Sequence, residues 1–273
     1  MEFEWHPLRF LQQHHASGSP GQNPLALIVL NQPLSDLFTL NRIWNNSLLH
    51  VAADGGANRL LTAQRRAKSH PSDGTPSQEA PFTQLQVVIG DLDSLTEETK
   101  THFAAQGTKV IHDSDQESTD FGKAVNYIRS RSDGTPVDIV AMGGLGGRVD
   151  QGLSQLHHLY LFQKGEGYPD GRLYLVSGEA ITFLLKAGHH RIHVREGSEE
   201  TFGQHVGIIP IGEPSVITTS GLEWDVEEWE THFGGRISTS NHILPETRVV
   251  EVSTSKDVIF TIALRDRGFN VQG

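Results

Sequence analysis

Four stretches of this 273-residue sequence run from apolar residues straight into carboxylates. Leu49-His50-Val51-Ala52-Ala53 ends in Asp54-Gly55-Gly56, and Val87-Val88-Ile89-Gly90 ends in Asp91-Leu92-Asp93. A run through Ile111 leads into Asp113-Ser114-Asp115-Gln116-Glu117-Ser118-Thr119-Asp120. Ile139-Val140-Ala141-Met142 leads into Gly143-Gly144-Leu145-Gly146-Gly147-Arg148-Val149-Asp150. Carboxylates gathered in one crevice repel one another unless a cation sits among them. Hard oxygen donors suit Mg²⁺, which binds through one or two carboxylates, waters and substrate phosphates. The pattern therefore points to a Mg²⁺–nucleotide site, with Asp54, Asp91, Asp93, Asp120 and Asp150 as its candidate acidic groups.

Each piece alone has a plainer explanation. A single Asp after a strand is commonly a helix N-cap or a turn former, and that covers Asp54 or Asp120 taken separately. Asp91 and Asp93 carry more weight, because alternate residues of an extended segment face the same way and can share one ion. The coincidence of four such strand ends favours the metal. The glycine-rich run 143–147 is neither a Walker A loop nor a dinucleotide fingerprint. As a turn opening a helix it offers backbone N–H groups to a phosphate, and Arg148 beside it is a natural phosphate clamp. A tight strand-to-helix turn is the alternative. Lys123 is a weaker candidate for the same role, its alternative being a solvated side chain.

The elements that must position these groups are legible in the hydrophobic pattern. Short apolar runs at 26–30, 48–53, 87–89, 109–112, 137–142 and 173–176 alternate with helical stretches at 57–67, 96–106, 119–131 and 149–164. In the last stretch Leu153, Leu156 and Leu159 fall on one face. Ser94 and Glu97 are spaced for a capping box at the third helix start. Alternating strands and helices predict an α/β N-terminal domain with a parallel, Rossmann-like sheet, whose ligands bind outside the strands' carboxyl ends. After Gly178 short runs at 180–185, 191–194, 206–211, 215–219, 235–239, 248–252 and 258–264 predict an all-β sandwich domain, with 226–232 as a turn or two of helix. We divide the chain into a flexible N-terminal segment, 1–25, an α/β nucleotide-binding domain, 26–185, and a β-sandwich domain, 186–273. A polar, turn-rich stretch, 65–82, reads as a mobile insertion, and 14–23 has the same texture.

In the second half, Trp224 follows Ser220-Gly221-Leu222-Glu223 and could lay its indole face on a flat or cationic ligand. Core packing is the alternative for a Trp in a sandwich. Ser238-Thr239-Ser240-Asn241 is a ligand border or a polar edge strand. The pairs His157-His158 and His189-His190 lack zinc-ligand spacing and read as surface or core-edge histidines.

Composition narrows the partners. With 22 Lys+Arg against 33 Asp+Glu, the formal charge is −11, which disfavours nucleic acid and anionic membrane. The absence of cysteine excludes disulfides, thiolate zinc sites and cysteine nucleophiles. Met1-Glu2-Phe3-Glu4-Trp5-His6-Pro7 lacks the basic and apolar regions of a secretory signal, and a cytoplasmic location is expected.

Together these motifs resemble the thiamine pyrophosphokinases. Asp54-Gly55-Gly56-Ala57-Asn58, Gly90-Asp91-Leu92-Asp93-Ser94, Asp115 to Phe121 and Gly143 to Gln151 are similar, in order and spacing, to that family's nucleotide-site motifs. Gly221 to Trp224 and Ser238 to Asn241 look like its thiamine-side motifs, in the eukaryotic branch. The resemblance implies a diphosphate transfer from ATP to the hydroxyl of thiamine, dependent on Mg²⁺ and proceeding by in-line attack on the β-phosphorus. It implies a homodimer with active sites at the subunit interface. Asp91, Asp93 and Asp120 then resemble the Mg²⁺ ligands or their water-mediated supports, with Asp91, Asp120 or Asp150 as proton acceptor. Asp54, Gln116, Thr119, Lys123, Arg148 and Asp150 fall to ATP and substrate positioning, and Trp224, Ser238 and Asn241 to thiamine. Glu223 departs from the family pattern, which has Lys there. The rival readings are a Mg²⁺-dependent nucleotide hydrolase and a non-catalytic thiamine or nucleotide sensor.

Overall fold

Burial along the strands separates two kinds of sheet. In the computed structural model, which describes residues 1–12, 22–69, 82–196 and 201–266, the chain forms two compact units. One comprises 14–164 and 168–178, and the other 1–13, 165–167 and 179–273. The chain opens with strand β1 (Glu2–Trp5), which belongs to the second unit.

The first unit runs β2 (Leu25–Val29), α1 (Leu37–Asn46), β3 (Leu49–Ala53), α2 (Gly56–Ser69), β4 (Val87–Gly90) and α3 (Glu97–Ala104). It continues with β5 (Lys109–His112), α4 (Asp120–Ser130), β6 (Asp138–Met142), α5 (Val149–Leu161) and β7 (Leu173–Val176). Its strands pair in parallel in the order β7-β6-β2-β3-β4-β5. All five residues of β2 and of β6 are buried, as expected where helices cover both faces of a parallel sheet. Each fully buried Leu, Ile or Val there contributes roughly 1.5–3 kcal/mol.

The second unit adds β8 (Ala180–Leu185), β9 (Gly188–His193), β10 (Phe202–Ile209), β11 (Ser215–Ser220), β12 (Trp229–Thr231), β13 (Ser238–His242), β14 (Val249–Thr254) and β15 (Val258–Leu264). One layer is β1-β9-β14-β11-β12, and β13-β10-β15-β8 forms the other. Burial alternates along β11 and β14, one face in and one out. Trp5 from β1 stacks on Phe183 from β8 at 4.5 Å, and Phe183 meets Phe260 from β15 at 5.2 Å. His190, fully buried, accepts from Trp5 Nε1 at 2.9 Å and donates through Nε2 to the Lys186 carbonyl at 2.7 Å. Those two partners fix it as a neutral ring.

Several expectations change. The segment 1–25 is not simply flexible: β1 pairs in parallel with β9, and Trp5, Leu8, Phe10 and Leu11 are buried. Residues 13–21 of it lie outside the described residues. Of the insertion read at 65–82, Arg65 to Ser69 complete α2 and Phe82 is buried, while 70–81 lie outside the described residues. The longest segment of the second unit starts at Glu179, so β8 belongs with the sandwich rather than with 26–185. Residues 229–231 form β12 instead of helix. The α3 cap is Thr96, whose hydroxyl accepts from the Thr99 N–H, because the Ser94 N–H is drawn to Asp54 Oδ2 at 3.0 Å. On α5 Leu159 is buried but Leu153 is 56% exposed. Among the described residues no helix is long and apolar enough to cross a membrane.

Candidate active site

Asp54, Asp91 and Asp120 each offer a carboxylate oxygen, and these atoms lie within 4.8 Å of one another. They arrive from the carboxyl ends of three adjacent strands of one sheet: Asp54 follows β3, Asp91 follows β4, and Asp120 opens α4 after β5. Adjacent parallel strands bring their carboxyl ends together, which is why residues far apart in sequence meet here. Gly90 makes the approach possible. A Cβ there would come within 2.8 Å of both Asp120 Oδ1 and the Asp54 Cβ.

Local hydrogen bonds aim the carboxylates. The Asp91 N–H donates to Asp120 Oδ1 at 3.1 Å, and the Asp93 N–H to Asp91 Oδ1 at 3.1 Å. Asp54 Oδ2 accepts from Ser94 N–H, while Asp54 Oδ1 is buried without a hydrogen-bond partner. Burial raises the Asp120 carboxyl above its ordinary pKa; the Asp91 and Asp54 charges add to that, and the Asp91 N–H and Lys123 oppose it. Lys123, almost wholly buried, places Nζ 3.4 Å from Asp120 Oδ1. It is thus an internal counter-charge of the cluster rather than a solvated lysine.

Asp93 is not part of the three-carboxylate group. Leu92 has φ +66°, so the chain turns after Gly90 and the strand alternation expected of Asp91 and Asp93 is broken. Asp93 is exposed at the rim. Gln116 is also exposed, on a loop folded by its own Asp turns. Asp115 accepts from the Glu117 N–H at 2.9 Å and the Ser118 hydroxyl at 2.6 Å, and the Ser118 bond lowers its pKa.

Thr119 caps α4, accepting from the Gly122 N–H at 3.0 Å. Its hydroxyl also meets His158 Nε2 at 2.7 Å. His158 Nδ1 faces the Ser154 carbonyl at 2.5 Å, so Nδ1 carries the proton and Nε2 accepts from Thr119. Burial lowers the His158 pKa and keeps the ring neutral. The sequence reading placed this histidine at the surface or core edge and gave it no role in the site. Its signal was slight: a helical residue of a motif-bearing helix whose partner lies 39 positions away.

Arg148 and Asp150 pair with each other, Nε to Oδ1 at 3.0 Å, and both are exposed. The Arg148 hydrogen bonds hold the Asp150 carboxyl below its usual range. Arg148 stands at the N-cap of α5 without a side-chain cap, and the preceding turn uses positive φ at Gly143, Gly146 and Gly147. The helix therefore starts with N–H groups that no side chain of its own cap satisfies.

In the β unit Trp224 is 54% exposed, which rules out the core-packing explanation. Asn241, buried, holds it through the backbone: Asn241 Oδ1 accepts from the Trp224 N–H at 3.1 Å, and Asn241 Nδ2 donates to the Trp224 carbonyl at 2.9 Å. Ser238 lies three residues before Asn241 on β13, half-buried. Glu223, the departure from pattern, pairs with His242 Nδ1 at 2.6 Å.

The sequence comparisons decide the family. Residues 40–167 match the thiamin pyrophosphokinase catalytic domain, and residues 189–259 match the thiamin pyrophosphokinase vitamin B1 binding domain. The chain belongs to the thiamin pyrophosphokinase family. It is 37% identical over 246 residues to thiamine pyrophosphokinase 3 of Oryza sativa subsp. japonica, covering 88% of this chain and 87% of that one. It is likewise 37% identical over 258 residues to thiamine pyrophosphokinase 2 of Arabidopsis thaliana, covering 90% and 89%. Among solved structures it is similar to yeast thiamin pyrophosphokinase, at 27% identity and TM-score 0.73, over 97% of this chain and 91% of that one. The thiamin pyrophosphokinase from Candida albicans shares the fold, with TM-score 0.74 over 97% and 93% at 24% identity. These relatives are named thiamine pyrophosphokinases, the chain is an enzyme of that family, and the three-carboxylate cluster falls within the segment matched by the catalytic domain.

Proposed function

We propose that this chain transfers a diphosphate group from ATP to the hydroxyl of thiamine, giving thiamine diphosphate and AMP. The observation that carries this reading is the convergence of Asp54, Asp91 and Asp120 within the catalytic-domain match. The names of the relatives and the vitamin B1 binding match over 189–259 supply the acceptor.

The donor set fits Mg²⁺. All its atoms are hard oxygens, and Asp54 Oδ1, buried without a partner, is a polar atom that a cation would satisfy. Asp54, Asp91 and Asp120 would hold the ion, with Asp93 supporting it through water. When bound, Mg²⁺ withdraws charge from the polyphosphate and leaves the β-phosphorus more open to attack. Lys123 balances part of the cluster's negative charge from within the fold. Arg148 can exchange its exposed Asp150 partner for phosphate oxygens, next to the uncapped start of α5. Thr119, its hydroxyl fixed by His158 and the Gly122 N–H, and Gln116 border the same polyphosphate. Trp224 offers its indole face to the positive thiazolium, with Ser238 and Asn241 beside it. The thiamine oxygen bonds to the β-phosphorus in line as the bond from that phosphorus to the α,β-bridging oxygen breaks; AMP departs and the hydroxyl proton passes to a carboxylate or water. This chemistry requires positioning and charge neutralisation rather than a covalent intermediate.

The same reading includes a homodimer with active sites at the subunit interface and a cytoplasmic location. Uncovered apolar side chains such as Val149, 77% exposed, and Leu153 support self-association. ATP labelled at the β-phosphorus tests the transfer: the label should appear in thiamine diphosphate and the adenosine in AMP. Label in ADP or free phosphate would overturn it.

A further inference from the structure

A second set of metal-type donors lies in the β unit, on its N-terminal strand. β1 and β9 pair in parallel with Glu4 opposite Arg191 and Trp5 opposite Ile192. Alternate residues share a face, so as Trp5 turns into the core, Glu4 and His6 turn outward with Arg191 and His193. There Glu4, His6 and His193 each offer a donor atom within 4.8 Å of the others. The two imidazoles stack with centroids 4.3 Å apart and 17° between their planes.

Their neighbours decide which nitrogens are available. His6 Nδ1 faces Glu196 Oε1 at 2.6 Å, and a carboxylate only accepts, so Nδ1 carries the proton and Nε2 of the neutral ring keeps its lone pair. His193 Nδ1 lies 3.8 Å from the same Glu196 oxygen, while His193 Nε2 faces Glu4 Oε2 at 2.7 Å. Arg191 donates to Glu4 Oε1 at 2.7 Å and to Glu251 at 3.2 Å, which holds Glu4 with Oε2 turned to the imidazoles.

We propose that Glu4, His6 and His193 form a binding site for a divalent transition-metal ion of the zinc type, supported by Glu196 and Arg191. Two imidazoles and one carboxylate are a ligand set that Zn²⁺ takes, with a fourth position left for water. A carboxylate behind His6 Nδ1 fixes the tautomer and raises the basicity of Nε2, as outer partners of metal-bound histidines do. The local charge also favours a cation: Arg191 pairs with both Glu4 and Glu251, and Glu196 adds a third carboxylate beside His6 and His193. In binding, the ion replaces the proton between His193 and Glu4. Tetrahedral ligands at about 2.0–2.1 Å stand roughly 3.3 Å apart, so these two side chains part slightly on their exposed face. This site is chemically distinct from the all-oxygen aspartate cluster. Bound metal would clip β1 to β9, so its effect is on stability rather than turnover.

The full-length chain, stripped with a chelator, would be titrated with Zn²⁺ alone against a chromophoric competitor. His6→Gln, His193→Gln and Glu4→Gln are compared with His232→Gln as control, each checked for fold by circular dichroism and for unchanged Mg²⁺-dependent turnover. The wild type and the control should bind one more equivalent than the three variants, or bind at least ~10-fold more tightly. Zn²⁺ should raise the unfolding temperature of the wild type and not of His6→Gln. Equal affinity in wild type, His6→Gln and His193→Gln would overturn the site, as would an equal thermal shift.

Discussion

Asp54, Asp91 and Asp120 come from three loops, yet only a change at one of them separates charge from shape. Asp91→Asn keeps the oxygen that accepts from the Asp93 N–H and removes one negative charge. Turnover should fall by ~10²-fold or more with the fold unchanged, measured by steady-state kinetics and circular dichroism. Wild-type turnover in that variant would remove Asp91 from the metal role. Asp54 and Asp91 were legible in the sequence because each closes an apolar run, and Asp120 because it ends the acidic loop that follows the next one; the rule for parallel sheets places such ends together. The shared face expected of Asp91 and Asp93 does not form, since nothing in Asp-Leu-Asp announces the positive φ at Leu92. The hydrogen bond between His158 and Thr119 was illegible because it is set by how α4 and α5 pack, and for Lys123, named as a candidate, the burial beside Asp120 was what the local pattern did not show. Trp224 carried two readings until its exposure separated them. Trp224→Ala should raise the thiamine KM by ~2–30-fold, the range of a cation–π contact of ~0.5–2 kcal/mol, and leave the ATP KM alone. An unchanged thiamine KM would take the indole out of the site.

At the scale of elements, buried strands were the easiest to read and cap-dependent pieces the hardest. α1 escaped notice because Asn41, Asn45 and Asn46 lie within it and Ser35, Asp36 and Ser47 flank it; its N-cap is Asp36, accepting from the Thr39 N–H at 2.9 Å. β1 gave no local hint that it pairs with β9, some 187 residues on. The α1–β3 junction has its own test. His50 stacks on Trp44 at 3.9 Å and bonds the Trp44 carbonyl at 2.9 Å. Burial lowers its pKa, so the unfolded chain binds this proton more readily than the folded one. That stability is present above about pH 6.5, the unfolded value, and is lost as pH falls toward the folded value. Urea unfolding should therefore show stability declining below about pH 6.5, with a shallower decline in His50→Gln. An identical pH dependence in the two proteins would contradict the assignment.

For the whole molecule, the sequence patterns distinguished an α/β part from an all-β part and set the boundary within a strand of where it falls. What they missed is that the first residues belong with the second unit, a long-range pairing no periodicity reports. The proposed sharing of each active site between subunits has a quantitative consequence. Asp91→Asn and Trp224→Ala, unfolded together and refolded as an equal mixture, should place both intact groups at about one quarter of all sites. Activity at thiamine below its KM should rise accordingly above the mean of the two variants refolded alone. No rise would mean that each site is built from one chain.

The most direct test remains the reaction itself: purified protein with ATP, Mg²⁺ and thiamine, products followed by chromatography, thiamine or metal omitted in turn. The account requires AMP and thiamine diphosphate in equal amounts, each dependent on both additions. AMP or ADP released without thiamine, or no thiamine diphosphate at all, would contradict it.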